Sequence, residues 1–321
     1  MGIVTDTRTS SRRSRIATAA LAASAAASLV AGCSSSSSSG KSDPLSPTKA
    51  KGGTIVVGSN NFAESILLGD IYGEALKAKG LKVSYKPNIG SRETTYGLIK
   101  NGSLTVLPEY NGALLAYLDA KATPTTVETT DAAITAKLDS KLTVLKPAAA
   151  QDKDSVTLNA ATAKKYNLTA SSSIADLATV APKLVMGASP EFQTRHQGLV
   201  GLKSVYGVTF KSFKALDAGG SLTLAALKNN STQAGDIFTT DPAISANKFI
   251  TLQDPKDLFG FENVIPLVYK SGLPQTGVDA LNTLSAKLDT TALLSLATQV
   301  QAEGKDPLAV AQAWLKSVGL A

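Results

Sequence analysis

The chain has 321 residues, a formal net charge of +7, one cysteine and one histidine. One cysteine allows no internal disulfide, and Cys33 with His196 cannot assemble a zinc site of the usual His/Cys kind. The basic residues form no block interleaved with aromatics, which leaves nucleic-acid binding without a footprint, and a chain this long relies on buried cores for stability.

The chain opens on a basic leader (Arg8, Arg12, Arg13, Arg15), an apolar run of about 15 residues, then Leu29-Val30-Ala31-Gly32-Cys33. The run is short of the roughly 20 residues a bilayer span needs. Charged, apolar and small residues in that order read as an export signal. Small residues directly before the only cysteine look like a bacterial lipoprotein signal, cut before Cys33, whose thiol takes a lipid. A plain secretory signal is the alternative, and Arg12-Arg13 leave both Sec and twin-arginine export open. Residues 1–32 hold four Arg and one Asp, so their removal lowers the charge from +7 to +4. Residues 34–51, rich in Ser, Gly, Pro and Lys, cannot bury a core and read as a flexible tether. Such a tether spans on the order of 25 Å.

From Thr54 onward the pattern predicts a strand over 54–57, a helix over 63–79 closed by Gly80, a strand over 81–85, a helix over 93–101 and a strand over 104–107. A further helix begins near Leu114. Strand and helix alternating at this spacing point to a helix-covered sheet. Extended segments at 142–147 and 152–158 break the rhythm and read as a crossing to a second lobe. That lobe carries helices over 160–166, 174–180, 198–206 and 221–229, with strands at 183–188, 210–213 and 234–239. Residues 263–269 can cross back. Asp306-Pro307 caps a terminal helix over 308–318, with Trp314 on its apolar side. The expected fold is α/β and two-lobed, each lobe a helix-flanked mixed sheet, joined by two extended hinge crossings. Its divisions are a signal peptide (1–32), a tether (33–51), one lobe (52–151 with 267–321) and a second lobe (152–266).

Ligands of open α/β sheets sit at the carboxyl ends of strands. The loops at 59–64, 108–112 and 189–195 each follow a strand and should face the cleft. No Gly-x-Ser-x-Gly elbow, phosphate-binding Gly-Lys-Ser/Thr loop or Gly-x-Gly-x-x-Gly fingerprint is present. An enzyme is therefore not indicated, and no cofactor or metal is implied.

Gly58 to Glu64 before a helix, Gly90-Ser91-Arg92-Glu93, Pro108-Glu109-Tyr110-Asn111-Gly112, Glu191-Phe192-x-x-Arg195-x-x-Gly198-Leu199 and Thr239-Thr240-Asp241 occur in that order. Together they resemble the substrate-binding lipoproteins of ABC importers for glycine betaine, carnitine and choline. The resemblance implies the periplasmic-binding-protein fold, a small-molecule solute, a permease with its ATPase as partners, and a monomer tethered to the extracytoplasmic face of the membrane through Cys33. It makes Tyr110 a cage tyrosine, Arg195 the arginine that takes a ligand carboxylate, and Phe238 a cage position that keeps the ring and loses the hydroxyl. Aromatic faces hold quaternary ammonium groups by cation–π attraction.

Asn60, Asn61, Glu64, Glu93, Thr239 and Asp241 complete the candidate ligand-binding set. Several have plainer readings. Arg195 can pair with Glu191 one turn earlier, or close the cleft as an ion pair. Glu64 can serve the helix dipole, and Asp241 can cap the next helix. Aromatic residues are only 5% of the chain. The alternative ligand is therefore non-quaternary, such as a polyol, polyphenol or amino-acid derivative, held by hydrogen bonds.

Overall fold

The computed structural model describes residues 53–321. The expected signal peptide, Cys33 and the tether at 33–51 lie outside them.

Strand β1 (Ile55–Gly58) is buried along its whole length and runs parallel to both β2 (Val83–Lys86) and β3 (Val106–Tyr110). The first sheet has the order β2-β1-β3-β10-β4, with β4 at Leu142–Val144 and β10 at Val264–Tyr269. β10 is antiparallel to both of its neighbours. The second sheet has the order β7-β6-β8-β5-β9 and follows the same plan. Its strands β6 (Val185–Ala188), β7 (Ser212–Ala215) and β8 (Ala234–Asp236) are parallel, while β5 (Val156–Leu158) lies antiparallel to β8 and to β9 (Ile250–Thr251). Each lobe is thus a mixed sheet with helices on its faces.

Helix α1 (Ala63–Lys77) shows how sequence sets packing. Leu67, Leu68, Ile71, Tyr72, Ala75 and Leu76 are all buried, Lys77 stands in its last turn, and Gly80 at φ +76° ends the excursion. The helix packs on α9 (Gln275–Ser285) and α11 (Pro307–Ser317), whose Val310, Ala311 and Leu315 join the same core. Each large apolar side chain so buried contributes about 1.5–3 kcal/mol. Trp314 packs on that core, partly buried. A separate cluster on the other face of this sheet joins α2 (Arg92–Lys100), α3 (Asn111–Leu118) and α4 (Val127–Lys137). The second lobe has its own core around Ile174, Met186, Phe192 and Phe259. Among the described residues no helix is long and apolar enough to cross a membrane.

Two expected helices differ. The segment at 174–180 is a single 3-10 turn, Ile174–Leu177, capped by Ser173, and Ala181–Lys183 forms another short turn with Pro182 inside it. The expected helix over 198–206 begins only at α6 (Gly201–Tyr206). Gly198 departs from helical geometry because its backbone passes Phe192 too closely: a Cβ there would lie 2.1 Å from the Phe192 carbonyl oxygen. Four more helices complete the chain, α5 (Ala160–Lys165), α7 (Ser221–Lys228), α8 (Ala243–Ala246) and α10 (Thr290–Ala297).

The chain passes between the sheets twice, after β4 and after β9, and the two crossings pair with each other. Gln151 and Asn263 form an antiparallel bridge, Asp152 N–H donates to the Glu262 carbonyl at 3.1 Å, and Val264 N–H donates to the Ala150 carbonyl at 3.0 Å. The two extended hinge crossings are thus hydrogen-bonded side by side.

Candidate functional site

Four strand ends meet at one cavity. β1 delivers Asn60, Asn61 and Phe62; β3 delivers Tyr110; β6 leads to Ser189, Glu191 and Arg195; β8 ends in Asp236 and Phe238. The hinge crossings add Asp152, Asp154 and Glu262, and α2 adds Arg92. The cavity holds about 620 Å³ of empty space, its solvent-open mouth included.

The loop after β1 is fixed from several sides. Asn60 N–H donates to Ser65 Oγ at 2.9 Å, and its amide oxygen accepts from Thr95 Oγ1 at 2.8 Å. Asn61 N–H donates to the Gly90 carbonyl at 3.1 Å, tying the loop to the start of α2. Phe62 then projects against Tyr110, ring centroids 6.1 Å apart, and against Phe238 of the other lobe at 4.9 Å. Three rings from two lobes thus form one apolar wall.

Behind that wall lies a buried polar chain. Tyr110 Oη donates to Glu64 Oε1 at 2.7 Å, and Thr240 Oγ1 donates to Glu64 Oε2 at 2.6 Å, which joins the lobes. Asp152 Oδ1 accepts from Thr240 N–H at 2.9 Å and from Thr239 Oγ1 at 3.2 Å. Burial pushes the Glu64 carboxyl above its ordinary value, against the pull of the Thr240 and Tyr110 hydrogen bonds. Burial together with the nearby Glu64 charge raises Asp152 still further.

Arginine–glutamate pairs frame the cavity. Arg92 Nε lies 3.0 and 2.9 Å from the two Glu109 carboxylate oxygens, and its Nη2 lies 2.9 Å from Oε2. Glu109 is fully buried, so only a partner of this geometry keeps its charge tolerable. Arg195 donates from Nε and Nη2 to the two oxygens of Glu93 at 3.0 and 2.8 Å, from one lobe to the other. Partial burial would raise the Glu93 carboxyl, but the Arg195 hydrogen bonds hold it down at about 2. Glu262 accepts from Ala113 N–H at 2.9 Å and Gln197 Nε2 at 2.8 Å, and burial raises its carboxyl to about 8.

Of the residues singled out from sequence, Asn60, Asn61, Tyr110, Arg195 and Phe238 line the cavity. The others stand behind or beside it. Glu64 holds Tyr110 and Thr240; Glu93 holds Arg195. Thr239 accepts from Lys153 N–H, and Asp241 accepts from Ala243 N–H at 2.7 Å just before α8, whose N-cap position is Pro242. Sequence reading passed over Phe62, Arg92, Asp152, Asp154, Asp236 and Glu262, all of which line the cavity. The available signal was charge inside otherwise buried runs: Asp236 amid Ala-Gly-Asp-Ile, and Asp152 and Asp154 on a crossing with no helical period.

Two lobes, a paired hinge and a cavity at the strand ends between them define a solute-binding protein of the periplasmic type. Residues 53–317 match the family described as the substrate binding domain of the ABC-type glycine betaine transport system, and the chain belongs to it. Its members bind a transported solute and are not enzymes. The glycine betaine-binding protein YehZ of Escherichia coli (strain K12) is 29% identical over 287 residues, covering 83% of this chain and 90% of that protein. A glycine-betaine-binding protein of Pseudomonas aeruginosa PAO1 is 26% identical, covering 83% and 88%. In fold, the chain resembles a crystal structure of a glycine betaine/carnitine/choline ABC transporter protein, with a TM-score of 0.64 at 22% identity, covering 83% of this chain and 99% of that one.

Proposed function

We propose that this protein captures a small compatible solute of the glycine betaine, choline or carnitine kind between its lobes and delivers it to an ABC import permease and its ATPase. It works from the extracytoplasmic face of the membrane, tethered through lipid on Cys33. The observation that carries this reading is the cavity wall of Phe62, Tyr110 and Phe238, whose rings come from both lobes and are completed only when the lobes meet. An aromatic wall among carboxylates attracts an organic cation and excludes water from it. Family membership and the glycine betaine-binding relatives support the same class of solute.

A thermal-shift screen of the purified protein tests it. Glycine betaine, choline, carnitine, ectoine, proline, sugars and phenolic compounds form the panel. A solute at 100 times its Kd adds about 2.7 kcal/mol to stability, a shift easily read. Stabilisation by a nitrogen-containing cation or zwitterion supports the proposal, and stabilisation by polyols or phenolics alone replaces it with the hydrogen-bonding alternative. The tether is tested separately: Cys33→Ser should release the protein from the membrane fraction.

A further inference from the structure

The wall of Phe62, Tyr110 and Phe238 suits the cationic end of a solute; its other end needs hydrogen-bond donors. The basic side chains lining the cavity are Arg92 and Arg195, and each holds a glutamate through Nε and Nη2. They differ in setting. Arg195 stands at the rim with its side chain 28% exposed, whereas the Arg92 side chain is only 9% exposed. A charged contact in a water-excluded place is stronger than the same contact in solvent.

Donors converge beside Arg92. Its Nη1 has no hydrogen-bond partner among the described residues. Asn60 is 3% exposed; its N–H is held by Ser65, and its Oδ1 accepts from Thr95, one turn along α2 from Arg92. That bond turns Asn60 Nδ2 away from Thr95, and Nδ2 too has no partner among the described residues. The side-chain atoms sealed in the described core without a partner are Thr232 Oγ1, Asn263 Oδ1 and Ser285 Oγ, so Asn60 Nδ2 and Arg92 Nη1 are open to the cavity that their residues line. Arg92 is also the first residue of α2, and Ser91 before it lines the cavity, so the positive end of the helix faces the same place. An amide donor, a guanidinium edge and a helix start all favour a negatively charged oxygen.

We infer that the ligand carries a carboxylate, that Asn60 Nδ2 and Arg92 Nη1 bind it at the start of α2, and that Arg195 acts on affinity as a lobe-closing latch, not as the carboxylate's partner. This rests on the binding-protein reading above and deepens it. Quaternary ammonium solutes that are zwitterions, of the glycine betaine and carnitine kind, rank above choline, whose hydroxyl gives the two donors an uncharged oxygen. Asn60 and Phe62 stand two residues apart on one loop, no more than about 7 Å of backbone. One loop thus places both ends of a short zwitterion.

Calorimetric titration of the purified protein with glycine betaine, carnitine, choline and the neutral amide of glycine betaine tests this. The tighter-binding of the two carboxylates is expected to bind at least about tenfold tighter than choline and the amide. Asn60→Asp keeps the acceptor for Thr95 and replaces the donor by an acceptor. It should shrink that preference to about threefold or less without weakening choline, and Asn60→Ala should shrink it likewise; melting curves check that both variants fold. Arg195→Gln should weaken all the solutes alike, by about two- to fivefold, and preserve the preference. A preference that survives both Asn60 variants, or one abolished by Arg195→Gln, overturns the inference while leaving the binding-protein reading intact. So does choline or the amide binding as tightly as the carboxylates. No binding by any of the four compounds overturns both.

Discussion

Arg195 and Glu93, on opposite lobes and 102 residues apart, form a two-point ion pair at the rim of the cavity. Arg195 therefore does not take Glu191, its neighbour one turn earlier. A contact that exists only when the lobes meet favours the closed state, and any bias toward closure appears in ligand affinity. Side-chain exposures of 28% and 41% keep its worth below about 1 kcal/mol. Glu93→Gln is expected to weaken solute binding by about two- to fivefold, with less effect in high salt. Titrations at low and high salt check this, and equal losses at both would argue against an ion-pair latch.

Tyr110 has two separable parts. Tyr110→Phe keeps the ring and strips a hydrogen bond from buried Glu64, at a cost of about 1–3 kcal/mol in stability and little affinity. Tyr110→Ala removes the wall as well and is expected to lower affinity by about tenfold or more. Urea melts and titrations on the two variants separate the effects.

Arg92 illustrates the cost of a stranded charge. Arg92→Met leaves Glu109 buried without a counter-ion and should destabilise by about 3–5 kcal/mol in urea unfolding. Arg92→Lys should recover only part of this, because an ammonium cannot match both carboxylate oxygens at once.

Gly112 sits where α3 meets the second hinge crossing. A Cβ there would stand 2.1 Å from the Phe261 carbonyl oxygen and 2.8 Å from Glu262 Oε1. The first of these is backbone and cannot swing aside. Gly112→Ala should therefore lower the melting temperature, with a cost of about 1–3 kcal/mol or more, and weaken binding by displacing Glu262.

The buried acids set a pH dependence. Glu262 keeps its proton in the folded state up to about pH 8, whereas an ordinary glutamate loses it near 4.5. Between those values the folded chain holds more protons than the unfolded one, so stability falls as pH rises. Asp70, raised to about 6 by burial, acts in the same direction. Glu93, held near 2 by Arg195, acts oppositely and loses its contribution as pH drops below 4.5. The unliganded protein should be most stable on the acid side of neutrality, and a melting-temperature profile across pH 3–9 checks this.

Elements with strong local signals were legible in the sequence. β1, α1 and α11 carry runs of buried apolar residues with caps or glycine stops, and they fall within a few residues of expectation. Gly198 was not legible as a helix breaker, because its constraint is a carbonyl oxygen of Phe192 brought near by the fold. The site divides the same way. Tyr110, Arg195 and Asn60 announced themselves by standing after strands, in motifs shared with a family. Asp154 and Asp236 did not, since a lone aspartate in a sequence looks like a turn or a cap. Only the antiparallel register of β5 on β8 brings both to the cavity.

Closure on a solute is the central claim, and an interlobe distance measures it most directly. Spin labels at Thr135→Cys on α4 and Lys165→Cys on α5, both exposed and on different lobes, would be introduced with Cys33→Ser. The expected result is a distance distribution that narrows and shifts on adding the stabilising solute, saturating at its calorimetric Kd. A distribution unchanged by a solute that demonstrably binds would contradict the account.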